Sequence, residues 1–221
     1  MRIRNVTRWV SIVVLSAAVS LPVGADEQAS EKKGDKKASG QPSDAEMMAM
    51  MMEMTKPGEN HKLLAHMVGN WSLKVKMWNN GDTNTAPMES SASATVKEIM
   101  GGKFFTSDVN GKMQMPGADG KMTDMDFKGM GVDGYDNARK KFVSSWIDSM
   151  GTGILTSEGD YDAATKTFTF HAEVAYMPGM TVKVRQVVKI VDNDHHTFEW
   201  FEDRGGSGEV KTLQIDYTRK K

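Results

Sequence analysis

The sequence has no cysteine in its 221 residues. Disulfides, thiolate metal centres and cysteine nucleophiles are excluded, so the folded part must be held by its apolar core. Proline is scarce, with six residues, and aromatic residues make up only 8%. Neither charge dominates: 28 Lys and Arg stand against 29 Asp and Glu. That balance offers no clustered basic surface, which argues against nucleic acid or an anionic bilayer as partner. A Gly-x-Ser-x-Gly elbow is also missing, and Ser144 and Ser145 have no histidine at an interpretable spacing, so nucleophilic catalysis has no carrier. No catalytic residue is assigned. The apolar run Trp9 to Leu21 is too short, and too interrupted by serine, to span a membrane.

That run has another use. Arg2, Arg4 and Arg8 precede it and Val23-Gly24-Ala25 follows it, the layout of a cleaved secretory signal over residues 1–25. The chain is therefore expected in the periplasm or outside the cell, with no membrane span after processing. No cysteine lies near the cleavage site, so lipid attachment there is excluded. The signal holds three of the basic residues and no acidic one, so its removal shifts the net charge from −1 to −4.

Residues 26–45 lack aromatic and branched apolar side chains and carry alternating charge blocks. They cannot bury enough surface to order themselves and read as a disordered leader. Residues 46–58 are Met-rich, with Met47, Met48, Met50, Met51, Met52 and Met54 in eight positions. Lys56-Pro57-Gly58 breaks the chain before a short helix, Glu59 to Val68, whose Leu63, Leu64, Met67 and Val68 recur at helical spacing.

From Trp71 onward the pattern turns to period two, with turn signals every 8–14 residues. About ten strands are expected: 70–78, 89–100, 103–110, 122–135, 140–149, 153–162, 166–177, 180–191, 196–204 and 209–219. Asn110-Gly111 reads as a turn and 111–126 as a loop-rich segment. Tyr135-Asp136-Asn137-Ala138-Arg139-Lys140-Lys141-Phe142 is echoed by Tyr161-Asp162-Ala163-Ala164-Thr165-Lys166-Thr167-Phe168, two hairpin turns of one design. An even antiparallel meander over 59–221 avoids raw edges by closing. The expected fold is all-β: an antiparallel barrel of about ten strands with a short N-terminal helix.

Alternation assigns faces. Trp71, Leu73, Val75 and Met77 share one face of the first strand, and Leu213, Ile215, Tyr217 and Arg219 one face of the last. The inward sets elsewhere include Phe142, Ser144, Trp146 and Asp148; Val182, Val184, Gln186, Val188 and Ile190; and Phe198, Trp200, Glu202 and Arg204. The lumen so drawn is apolar with polar intruders. Trp146, Asp148, Gln186, Trp200 and Glu202 are its candidate ligand contacts. Asp148 has two readings, a ligand contact or a rim residue capping the turn that follows it.

Gly69-Asn70-Trp71 and Tyr217-Thr218-Arg219 resemble the closure of lipocalin-type barrels, which implies that Trp71 plugs one end and Arg219 lies over it. Further blocks are His61-Lys62-Leu63-Leu64, Val68-Gly69-Asn70-Trp71, Gly101-Gly102-Lys103-Phe104, Gly134-Tyr135-Asp136-Asn137 and Trp146-Ile147-Asp148-Ser149-Met150. With Tyr217-Thr218-Arg219-Lys220 they resemble a bacterial family known as domain of unknown function 1579, from about residue 47 to the C-terminus. The resemblance implies a lipocalin-like barrel and brings no activity, substrate or cofactor with it. Haem-binding nitrobindins are related ten-stranded barrels, but Ser72-Leu73-Lys74 replaces their second glycine pattern.

A binding module for one small hydrophobic or amphipathic molecule is the leading expectation, with no cofactor. Two alternatives accompany it. Soft thioethers suit Cu(I), so the Met cluster suggests copper handling, against a plain reading as an amphipathic Met-rich helix. Haem needs an axial histidine in the lumen. His171 falls on the outer face, His195 and His196 beside a turn, and His61 and His66 on the leading helix.

Overall fold

The computed structural model describes residues 42–78, 81–116, 121–203, 205 and 208–221. The expected signal, the leader up to Gln41 and Arg204 lie outside the described residues.

Two helices precede the strands. The first, α1 (Asp44–Met54), is nucleated by a capping box. Ser43 Oγ accepts from the Glu46 N–H at 3.3 Å, and the Glu46 carboxylate accepts from the Ser43 N–H at 2.8 Å. None of its residues is buried. The second, α2 (Glu59–Ala65), starts at Gly58, whose N–H donates to His61 Nδ1 at 3.0 Å. Its His61 and Leu64 turn inward, while Glu59 and Lys62 pair in solvent.

Ten antiparallel strands follow: β1 (Gly69–Met77), β2 (Met88–Ile99), β3 (Phe104–Pro116), β4 (Met122–Asp136) and β5 (Lys141–Asp148), then β6 (Leu155–Asp162), β7 (Thr167–Met177), β8 (Met180–Ile190), β9 (His195–Asp203) and β10 (Glu209–Arg219). Each pairs with its sequence neighbour, and β1 pairs with β10 to close the barrel. The closing register sets Trp71 opposite Arg219, Leu73 opposite Tyr217 and Met77 opposite Leu213.

The repeated turns behave alike. Asp136 accepts from the Ala138 and Arg139 N–H groups, and Asp162 from the Ala164 N–H and the Thr165 hydroxyl. The repeat's lysines, Lys140 and Lys166, both sit at φ 54°, in the left-handed region.

One expected turn is a strand. Asn110-Gly111 lies inside β3, which pairs with β4 from Phe104↔Gly134 to Pro116↔Met122. Gly111 is needed for close approach rather than for turning, since a Cβ there would meet the Cβ of Ala92 on β2 at 2.6 Å. The segment expected as loop is thus mostly a β3–β4 hairpin.

Burial is complete at one end of the barrel and uneven at the other. At the end carrying α2, Leu64, Trp71, Leu73, Phe105, Phe142, Phe168 and Phe170 form the fully buried core. Toward the other end the inward residues Val75, Met77, Trp146, Phe198, Trp200, Leu213 and Ile215 are only half-buried, while Val182, Val184 and Glu202 on β8 and β9 stay fully buried. One end is a floor, the other a mouth.

Candidate functional site

The floor is stitched by one cation. The Arg219 guanidinium lies 4.1 Å over the Trp71 ring. It donates to the Val68 carbonyl at 2.6 Å, to His66 at 2.9 Å and to Asn193 at 2.8 Å. The carbonyls left open after α2 are satisfied in this way. Gly69 has φ 141°, and a Cβ there would collide with the same guanidinium, so the glycine of Gly-x-Trp makes room for the arginine. Trp71 Nε1 donates to the Met67 carbonyl at 2.8 Å.

His196 belongs to this floor, not beside a turn as its sequence position suggests. It lies on β9, 6% exposed, stacked 4.1 Å from the Tyr217 ring and edge-on to Trp71 at 4.4 Å. Burial, aided by the Arg219 charge, pushes its imidazole down to about 4, so it stays neutral. His61 is buried too, edge-on to Tyr135 at 5.8 Å, and burial holds it below the usual range. His171 faces out and is exposed. Two histidines were thus displaced inward relative to expectation, and both are packed against aromatic rings.

Above the floor runs a belt of polar side chains. The β4 register sets Asp133 opposite Phe105 on β3 and Ser144 on β5, and Ser107 opposite Gly131 one layer higher. Ser144 faces Ser157 on β6, and the Ser157 hydroxyl donates to Gln186 Oε1 on β8 at 3.5 Å. Asp133 is the residue that sequence reasoning missed. It shares its face with Tyr135 and Phe127, but glycines at 129 and 131 hide the alternation that would have revealed it.

Burial raises Asp133 to about 6, against a small lowering by the Ser144 hydroxyl. Burial also pushes the Tyr217 phenol up, with the Asp133 charge adding to it. Both side chains nevertheless keep surface that water can reach. The two facts agree when that surface lines a cavity inside the wall.

Nearer the mouth the candidate contacts fall into two pairs. Trp146 Nε1 donates to Asp148 at 2.8 Å, and Asp148 also accepts from the Met150 N–H at 2.8 Å. Asp148 therefore caps its turn and orients an inward tryptophan at once. The Trp146 indole lies along β4, where a Cβ on Gly129 would overlap it and one on Gly131 would crowd it. Four strands around the ring, Trp200 Nε1 donates to Glu202 at 3.2 Å. Glu202 is 4% exposed and also accepts from the Tyr176 and Thr212 hydroxyls at 2.8 and 3.1 Å. Gln186 sits opposite Trp200 on β8, so it joins the second pair to the belt.

Two concavities lie on the outer wall. One of about 470 Å³ is lined by Ser72, Lys74, Glu89, Ser91 and Asp216 among others. Lys74–Glu89 and Lys76–Asp216 ion pairs border it, which marks it as solvated wall.

The Met-rich segment is α1, and its six methionines are 48–62% exposed. They fill no core. The helix is tethered by Asn137, whose amide donates to the Met54 and Lys56 carbonyls at 2.9 Å each. No helix among the described residues is long and apolar enough to cross a membrane.

Comparison with known proteins adds the relationship. The fold is similar to the crystal structure of Rv2717c from M. tuberculosis, at a TM-score of 0.52 and 14% identity, covering 75% of this chain and 100% of that one. The structure of the S-type phycobiliprotein lyase CPES from Guillardia theta matches at a TM-score of 0.47 and 10% identity, over 77% of this chain and 97% of that one. No curated protein matches the sequence. A family described as protein of unknown function, DUF1579, matches residues 56–219. That span runs from just before α2 to the floor arginine, and the chain belongs to the DUF1579 family.

Proposed function

We propose that this protein is an exported carrier whose lumen takes one small hydrophobic or amphipathic molecule. The observation that carries this reading is the accessible surface kept above the floor by inward apolar residues of β1, β5, β9 and β10. Inward apolar residues that would be fully buried in a filled barrel keep accessible surface here, as a lined cavity requires. Export is supported by the basic and apolar leader of residues 1–25. Trp146, Asp148, Gln186, Trp200 and Glu202 line the proposed site.

Titration with a fluorescent fatty-acid analogue tests the reading. Saturable binding should alter Trp146 and Trp200 emission, and Trp146→Phe with Trp200→Phe should remove the response. No saturable change at micromolar probe would overturn it. Native mass spectrometry of protein purified from its host would give the ligand's mass.

A second reading, soft-metal handling, is favoured by α1 alone. Six exposed thioethers on one helix have no packing role, and thioether sulfur favours Cu(I). Deleting residues 26–56 should then abolish Ag(I) or Cu(I) binding and spare the lumen. Met→Leu replacements, which keep helix and apolarity, should abolish it equally.

A further inference from the structure

We infer that the lumen selects ligands bearing a cationic amine on an apolar body, with Asp133 as the group that receives the amine. The inference rests on the lumen-binding reading above and adds to it the chemical class of the ligand.

Three observations place the polar head. First, the belt of Ser107, Asp133, Ser144, Ser157 and Gln186 borders the aromatic floor on its mouth side, with Asp133 in register with Phe105 and Gln186 in register with Phe170. Above the belt the wall turns apolar again, with Phe127 stacked on Trp146. A ligand that fills this space must be polar at its inner end and apolar toward the mouth.

Second, Asp133 is the belt's one ionisable group, and no Lys, Arg or His among the described residues pairs with it. The floor's arginine, Arg219, is committed to the Trp71 face and three carbonyls. A carboxylate enclosed without a counter-ion is costly. A ligand cation would supply the missing charge.

Third, the remaining groups facing Asp133 are donors or neutral rings. Ser144 approaches from β5, Phe105 from β3, and Tyr217 from β10 across the lumen. The Tyr217 ring is fixed by stacking on His196. None competes with an incoming ammonium for the carboxylate's charge.

The pH behaviour follows from these neighbours. Asp133 titrates at about 6, while His196 remains neutral down to about 4 and Tyr217 keeps its proton. A preference for amines should therefore be full above neutrality and fade as pH falls through 6.

The test compares three probes of one chain length, decylamine, decanol and decanoate, on the mature protein below their aggregation concentrations. Displacement of a lumen-bound fluorophore is the readout. Decylamine should bind roughly tenfold or more tighter than decanol, the scale of a charge-assisted hydrogen bond. Asp133→Asn, nearly isosteric, should bring the two within about twofold without loss of decanol binding.

Equal affinity of amine and alcohol in the native protein would overturn the inference and leave the carrier reading standing. So would a preference for decanoate, or an amine preference that survives in Asp133→Asn. Failure of all three probes to bind would overturn the carrier reading itself. Should Asp133→Asn fold poorly, the pH series on the native protein decides alone: an amine-over-alcohol ratio unchanged between about pH 5 and pH 8 rejects Asp133 as receiver.

Discussion

The floor and the mouth of this barrel are built from different side chains. The floor is aromatic and stitched: Trp71, Tyr217 and His196 contact one another, Phe142 meets Phe168, and Arg219 binds three backbone carbonyls around them. The mouth is rich in methionine, with Met88, Met122, Met125, Met150, Met177 and Met180 exposed around it. Aromatic rings have fixed shapes and reward one arrangement, whereas thioether chains adapt to what they meet. Stability is therefore concentrated at one end and adaptability at the other.

Truncation should expose this asymmetry most strongly. Trp71→Ala removes the fully buried plug and should cost roughly 3–5 kcal/mol. Met77→Ala, on the same face of β1 but half-buried near the mouth, should cost less than about 1.5 kcal/mol. Urea midpoints measure both, and equal costs would erase the distinction.

Gly129→Ala tests the boundary between the two regions. A Cβ there overlaps the Trp146 indole, so the ring must leave β4, at a cost of about 1–3 kcal/mol. Shifted tryptophan emission should accompany the loss. A change in stability with unaltered emission would mean that Trp146 does not rest on that glycine.

Acidification separates floor from belt by sign. The unfolded His196 imidazole takes a proton near 6.5 and the folded one at about 4. Lowering pH through that window favours unfolding by up to about 1.4 kcal/mol per unit. Asp133 acts oppositely: its folded carboxyl holds a proton up to about 6, while the unfolded one releases it near 3.8. Between those values acidification favours the fold. The two slopes largely cancel in the native chain, giving a shallow pH dependence. Asp133→Asn should make the protein acid-labile, and His196→Gln should make it gain stability on acidification. Melting temperatures between about pH 4.5 and 6.5 provide the check; parallel curves for all three proteins would contradict the signs.

The smallest effect lies in the repeated turns. Lys166 at φ 54° carries left-handed strain that glycine lacks. Lys166→Gly should stabilise by up to about 0.5–1 kcal/mol, offset partly by glycine's unfolded entropy. Destabilisation would mean that the lysine chain holds something in place.

Most of the architecture was legible because the strands obey period two and their turns carry Asp, Asn or Gly. The first and last strands even announced their closure through Trp71 and Arg219. Legibility failed where glycine served another purpose. Gly111 looked like a turn and is a point of close approach to Ala92. Glycines 129 and 131 blurred the face of β4 and so concealed Asp133. His196 was hidden by its neighbour: His195 is exposed and bonds Asp192 at 2.9 Å in the turn, while the next side chain points inward. Counting back two positions from Phe198 would have found it.

The seal between β1 and β10 also sets a schedule for the growing chain. Lys76 meets Asp216 across 140 residues of sequence, so β1 emerges long before its partner exists. At ordinary synthesis speeds the wait is on the order of ten seconds. During it both the Trp71 face and the unpaired edge of β1 are open to other strands. The last strand to be made brings the Tyr217 and Arg219 contacts of the floor together, and a chain that ends before it would leave a sheet with two sticky edges instead of a barrel.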